Sequence, residues 1–185
     1  MSELDQLLRK IKAAEASGKV RKNWNPENQG SIDIRISVDG NWYHEGRAFQ
    51  RKALVKLFAS ILRKENGDYF LVTPAEKLSI QVDDAPFVAG IVNIIKQAES
   101  QALIFTTNLG ERIVADDRHP IRVEIDRLTQ QPRPYIHVRD GLDALIGRNA
   151  FFELVNMANE HEIDGNNYLV VNSMGSEFIL GPIDE

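Results

Sequence analysis

Leu4, Leu7, Leu8 and Ile11 recur at the i, i+3, i+4, i+7 spacing of one helical face, which predicts a helix over residues 2–16 with Ser2 as its cap. From Gly18 to Gly30 that period is lost and Lys, Asn, Pro and Gly dominate. This stretch reads as a connector with Trp24 tucked against the core, and its basic character makes a nucleic-acid arm the rival reading. A period of two follows: Ile32, Ile34, Ile36 and Val38 point one way, and Asp33, Arg35 and Ser37 the other, as in a half-buried strand. Asp39-Gly40 turns the chain, Trp42-Tyr43 suits a short strand, and Gly46-Arg47 breaks it. A helix over about 48–64 is expected next, with Leu54, Leu57, Phe58, Ile61 and Leu62 on its core stripe and Arg51, Lys52, Lys56, Arg63 and Lys64 on the other face. Tyr69–Thr73 and Leu78–Val82, around Pro74-Ala75-Glu76, read as a hairpin.

The second half replays this order. Ahead of it lie a hairpin of Leu103–Thr107 and Arg112–Ala115 about Asn108-Leu109-Gly110, and a strand over Ile121–Ile125. Then Tyr135, Ile136 and Val138 form a strand, Asp140-Gly141 turns, and Gly147-Arg148 precedes a helix carrying Phe151, Leu154, Val155 and Ala158. Asn166-Asn167 leads into Tyr168–Val171 and Phe178–Leu180. The Asp-Gly and Gly-Arg landmarks recur at one common offset, the sign of an internal repeat. The expected class is α+β, built as two tandem diverged copies of a small antiparallel sheet plus helix. Residues 1–22 are the N-terminal helix and connector, 23–85 the first domain and 86–185 the second.

Composition narrows the functional classes. The 185 residues are 43% hydrophobic and 26% charged, the range of ordinary globular domains. A net charge of -5 repels phosphate backbones and anionic lipids, which argues against nucleic acid and membrane as partners. There is no cysteine, so disulfides, thiolate nucleophiles and zinc ribbons are excluded. Met1-Ser2-Glu3-Leu4-Asp5 lacks the pattern of a signal peptide, and the longest apolar stretch, Val88–Ile95, is too short to span a bilayer. A cytoplasmic protein is expected.

Several stretches carry a more specific likeness: Asp39-Gly40 with Trp42, Gly46, Arg51-x-x-Leu54-Val55-x-Leu57-Phe58-Ala59, Tyr69-x-Leu71-Val72-Thr73-Pro74-x-Glu76-Lys77, Asp83-Asp84-Ala85-Pro86-Phe87, Phe105-Thr106-Thr107-Asn108 and Val138-Arg139-x-Gly141-Leu142-x-Ala144-Leu145. Over nearly its whole length the chain resembles the bacterial domain-of-unknown-function family numbered twelve eighty-five, found mainly in proteobacteria. The resemblance implies a duplicated two-domain core, a second domain loosely similar to pleckstrin-homology folds, a ligand site between the domains and a signalling role. It supplies no activity.

The residues suggest binding rather than catalysis. A Gly-Arg pair stands before a helix in both halves, where free N–H groups and the helix dipole favour an anion and arginine adds a bidentate donor. In the first half Trp42 and His44 stand beside Arg47, with Arg133 and Arg139 as expected contributors from the second domain, so the expected ligand is a small anion or a peptide. A glycine serving only the backbone and an arginine paired to a carboxylate is the plainer alternative. Nucleophile elbows, phosphate loops and dinucleotide fingerprints are absent from the sequence, so no cofactor and no enzymatic activity are expected. Adjacent Asp83 and Asp84 would point to opposite faces of a strand, which disfavours a shared acid–base site and reads as a domain boundary with Phe87 anchoring the junction. The alternative is a metal-assisted hydrolase using Asp116, Asp117 and His119. His161 is read as the end of a helix, favouring the dipole without a ligand role.

Overall fold

A computed structural model of the chain describes residues 3–16, 24–97 and 100–183. They divide into two compact units, Met1–Asp83 and Asp84–Glu185. Ser2 and the connector residues Gly18–Asn23 lie outside the described residues.

In the first unit, α1 (Glu3–Ala16) buries Leu7, Ile11 and Ala14 from its apolar stripe, and Lys10 donates to Glu76 at 2.6 Å. Trp24 is buried, and Arg63 donates to its carbonyl at 2.8 Å. The sheet strands are β1 (Gln29–Ile36), β2 (Trp42–His44), β3 (Arg47–Ala48), β4 (Leu62–Glu65), β5 (Asp68–Val72) and β6 (Lys77–Val82), with α2 (Lys52–Ser60) between β3 and β4. Ile32, Ile34 and Ile36 form the buried stripe of β1. Val38 does not extend it: the chain has already entered the turn, where Ser37 N–H donates to Asn41 O and Gly40 N–H to Ser37 O, leaving Val38 40% exposed.

The helix expected over 48–64 is only the nine residues of α2, because hairpins claim both of its ends. Glu45 and Gly46 adopt φ of 48° and 74°, turning the chain so that Arg47 pairs with His44 as strand. At the other end Asn66 and Gly67 take φ of 53° and 95°, which folds Leu62–Glu65 back onto β5 with Leu62 opposite Leu71. Of the expected stripe, Phe58, Ile61 and Leu62 are buried, whereas Leu54 and Leu57 are half-buried.

The second unit contains β7 (Phe87–Gln97), β8 (Ser100–Thr107), β9 (Arg112–Val114), β10 (Ile121–Ile125), β11 (Pro132–Arg139), β12 (Leu142–Ile146), α3 (Arg148–Met157), β13 (Asn159–Ile163), β14 (Asn166–Ser173) and β15 (Ser176–Pro182). The apolar run Val88–Ile95 lies within β7, whose Phe87 and Ala89 are fully buried. His161 belongs to β13, opposite Tyr168, because α3 has ended at Met157. The turn into β14 is made by Asp164 and Gly165, with φ of 53° and 79°, and Asn166-Asn167 already belong to the strand.

Each unit holds a six-stranded sheet, ordered β3-β2-β1-β6-β5-β4 in the first and β10-β11-β12-β7-β8-β9 in the second. Read from its other edge, the second order is the same as the first. Each sheet is a pair of antiparallel three-strand meanders whose outermost strands in sequence, β1 with β6 and β7 with β12, lie parallel at the centre. The chain is therefore two tandem α+β sheet units, with register corrected from the landmarks. Asp39-Gly40 joins β1 to β2, the first meander of its sheet, whereas Asp140-Gly141 joins β11 to β12, the second meander of its own. The helices differ too: α2 stands between the two meanders, while α3 follows the completed sheet and leads to a separate three-stranded sheet, β13-β14-β15.

Candidate functional site

Two polar surfaces stand out, one in each unit. In the first, Gly46 to Lys64 holds six basic residues, Arg47, Arg51, Lys52, Lys56, Arg63 and Lys64, and no acid, in a chain of net charge -5. Arg63 is paired with Glu65 at 3.3 Å, and Lys64 lies over the Tyr69 ring at 5.3 Å. Arg47, Arg51, Lys52 and Lys56 are exposed and have no ion-pair partner among the described residues. Arg51 is the N-cap of α2, in extended conformation and with no side-chain capping bond, and the first turn contains no acid. Helix N-termini favour negative groups, so Arg51 and Lys52 oppose the dipole, and Lys52 and Lys56 are like charges one turn apart.

Aromatic rings fix this region. Trp42 stacks on Phe58 at 6.4 Å, Phe49 meets Phe58 edge-on at 5.7 Å, and His44 stacks on Phe49 at 6.3 Å. The series runs from the β2–β3 hairpin into the buried face of α2. His44 and Arg47 are cross-strand neighbours in that hairpin. The Nδ1 of His44 meets the Asp33 carbonyl at 2.9 Å, and since a carbonyl only accepts, Nδ1 carries the proton. Trp42 is a core residue at 2% exposure, and its indole N–H has no hydrogen-bond partner among the described residues.

In the second unit one ionic network runs across a face of the sheet. Asp84 accepts from Arg133 Nη2 at 2.5 Å and from the Tyr135 hydroxyl at 2.7 Å, while Arg133 Nε donates to the Tyr135 oxygen at 3.2 Å. Arg122 lies over the Tyr135 ring at 4.6 Å and bridges Glu124 at 3.1 Å and Asp143 at 3.2 Å. Asp143 meets His137 Nδ1 at 3.0 Å, and His119 Nδ1 donates to the His137 carbonyl at 3.1 Å. The hydrogen bond to Tyr135 and the pairing with Asp84 hold Arg133 charged beyond its ordinary range, whereas burial pushes the Tyr135 phenol up.

The expected site residues are therefore distributed over distinct settings. His44 and Arg47 are brought together; Trp42 lies beneath them in the core series. Arg47 is on a strand rather than at a helix start. Arg133 and Arg139 stand at opposite ends of β11, Arg133 held by Asp84 and Arg139 by Glu111 at 2.6 Å and over the Phe87 ring at 5.2 Å. Arg148 does open α3, but the N–H of its Gly147 N-cap donates to Ala89 O at 2.9 Å, and a Cβ on Gly147 would lie 3.4 Å from Gly90 Cα. The Gly147 amide is thus used by β7 rather than left open at the start of the helix.

Among the described residues no three or more His, Asp or Glu side chains are grouped to hold a metal ion. The Asp116 carboxylate is used locally, accepting from the backbone N–H of Arg118 at 3.0 Å and of His119 at 2.8 Å. Sequence reasoning missed Arg122, Asp143 and the pairing of Asp84. The alternation of Arg122 with Glu124, and of Arg133 with Tyr135 and His137, carried a signal for one polar sheet face.

Residues 20–85 match the N-terminal domain described as a domain of unknown function (DUF1285), and residues 86–180 match the C-terminal domain described as a protein of unknown function (DUF1285). The chain belongs to the DUF1285 family. A crystal structure of a DUF1285 family protein from Silicibacter pomeroyi DSS-3 is similar at 42% identity and a TM-score of 0.83, covering 96% of this chain and 95% of that one. A DUF1285 family protein from Shewanella baltica OS155 is similar at 29% identity and a TM-score of 0.54, over 68% of this chain and 92% of its own. No curated protein matches the chain. DUF1285 membership thus supports the two-domain architecture and assigns no chemistry. No described helix is long and apolar enough to cross a membrane.

Proposed function

We propose that this DUF1285 protein is a binding protein whose first unit engages an anionic group, the carboxylate or phosphate of a small ligand or peptide, at the basic N-terminal end of α2. The carrying observation is the uncapped start of that helix beside unpaired cations. The amides of Lys52 and Ala53 find no acceptor among the described residues, Arg51 and Lys52 flank them, and Phe49 ties the hairpin bearing His44 and Arg47 to the same helix. An anion seated there would accept the free N–H groups, complement the dipole and relieve the repulsion among the cations. A local positive surface on an acidic protein attracts a small anion while the overall field repels a polyanion, which favours a metabolite or acidic peptide over nucleic acid.

The test is titration with inorganic phosphate and with a glutamate-rich peptide, followed by amide chemical shifts. Saturable shifts confined to Arg47–Val55, weakening as salt is added, are expected. Charge reversal by Arg51→Glu with Lys52→Glu should remove them. Shifts that survive the reversal, or that centre elsewhere, overturn the reading.

A further inference from the structure

The parallel junction of β1 with β6 is out of step: Ser31 pairs with Ser79 and Arg35 with Gln81, so Ile32, Asp33 and Ile34 of β1 stand against Ile80 alone. β1 must therefore bow away from β6 between those pairings, and backbone that would otherwise be laddered is left open. At this slip lies a trough of about 590 Å³, whose polar walls are Ser31, Asp33, Asp68, Tyr69, Ser79 and Gln81. That size falls in the range of small-molecule sites.

The chemistry of the walls selects a class of ligand. Ser79 Oγ donates to Gly30 O at 3.3 Å, and Gln81 donates its amide to Asp83, leaving its carbonyl oxygen as an acceptor. Arg35 holds Asp83 through both Nε and Nη2, so this neighbouring cation is already neutralised. Lys64 occupies the space over the Tyr69 ring. Asp33 and Asp68 have no side-chain partner among the described residues. The backbone carbonyl of Asp33 accepts from His44 and from Glu45 N–H, which pins the bulge while the carboxylate stays available. The trough thus carries two unneutralised carboxylates, hydroxyls and an amide oxygen, and its walls are richer in acceptors than in donors.

We infer that this trough is a binding site for a small organic cation, an ammonium- or guanidinium-bearing molecule, whose N–H groups are taken by Asp33, Asp68 and the Gln81 carbonyl. The site is separate from the anion surface at α2 and does not depend on it. Exposed carboxylates on the walls of an open trough recognise a cation through charge-assisted hydrogen bonds, stronger than the neutral bonds a polyol would make.

Calorimetry and amide shifts with the linear diamine putrescine, the diol of the same chain length and inorganic phosphate test this directly. Saturable binding of putrescine is expected, with shifts at Ser31–Ile34 and Ser79–Val82 and none comparable from the diol or phosphate. The double variant Asp33→Asn with Asp68→Asn should weaken putrescine by about tenfold or more, the usual consequence of losing charged hydrogen bonds. Because both side chains are exposed, its melting temperature should stay close to that of the parent. An absence of saturable putrescine binding, equal binding of the diol, or unchanged affinity in the double variant overturns the proposal. A shift pattern centred on α2 would also overturn it.

Discussion

Asp83 and Asp84 are adjacent in the chain, yet Asp83 is held by Arg35 of the first unit at 2.5 Å and Asp84 by Arg133 of the second, also at 2.5 Å. The two residues occupy the bend that follows β6, where one dipeptide closes two separate ion pairs. Asp83 N–H also donates to Ile36 O at 3.0 Å, ending the first sheet. The boundary between the units thus falls between two carboxylates, each paired within its own unit.

The pairing has a pH signature. The hydrogen bond from Arg35 holds the Asp83 carboxyl below its ordinary value, and the one from Lys77 does the same for Glu65. A carboxyl depressed on folding stabilises the native state above its unfolded pKa and loses that contribution as pH falls through the folded value. The first unit should therefore lose stability as pH falls below about 4.5, near the unfolded carboxylate range. Melts of Glu65→Gln and Asp83→Asn should show a flatter acid limb than the parent; an identical limb would assign the loss to other groups.

Truncating Phe58 to Ala should cost about 3–5 kcal/mol, the usual penalty for removing a buried aromatic ring. Phe58 is fully buried and touches both Trp42 and Phe49. Equilibrium denaturation measures it, and a loss under about 1 kcal/mol would mean the ring series is not a core.

Replacing Arg51 with Asp should act in two directions at once. An N-cap carboxylate supplies the missing acceptor and suits the dipole, so the unliganded protein should gain about 0.5–2 kcal/mol. The response to phosphate at α2 should fall at the same time. Stability gained with binding retained would separate the cap from the proposed anion surface.

Removing the Asp84 carboxylate should leave Arg133 and the Tyr135 hydroxyl without their acceptor. Asp84→Ala is expected to destabilise the second unit by about 1–3 kcal/mol, typical for loss of a charged hydrogen-bond partner. Hydrogen exchange across β10 and β11 localises the effect; unchanged protection there would make the network a surface feature of no energetic consequence.

Chelation should leave the melting temperature unchanged, since no set of ligands with structural spacing is visible in the sequence. A fall restored by zinc or manganese would bring the hydrolase reading at Asp116, Asp117 and His119 back into force.

Local pattern alone determined the amphipathic α1, the period-two β1, the hairpin of β5 and β6, and the Asp-Gly turns, because each depends on residues close in sequence. It also carried the family likeness and the basic run around α2. Other features depended on partners far along the chain. Leu62–Glu65 could continue a helix by its apolar spacing and becomes strand only because β5 offers a ladder. Val88–Ile95 shows no clean alternation because β7 shifts register between Ala89 and Ile91, so the buried positions pass from Phe87 and Ala89 to Val92 while Ile91 is left exposed. Arg47 sits five residues ahead of the first residue of α2, and the positive φ of Glu45 and Gly46 makes it a strand partner of His44. The trough is the furthest from local sequence: it exists because β1 and β6, about fifty residues apart, pair out of step, and a register between distant strands is set by packing of the whole sheet rather than by either strand alone.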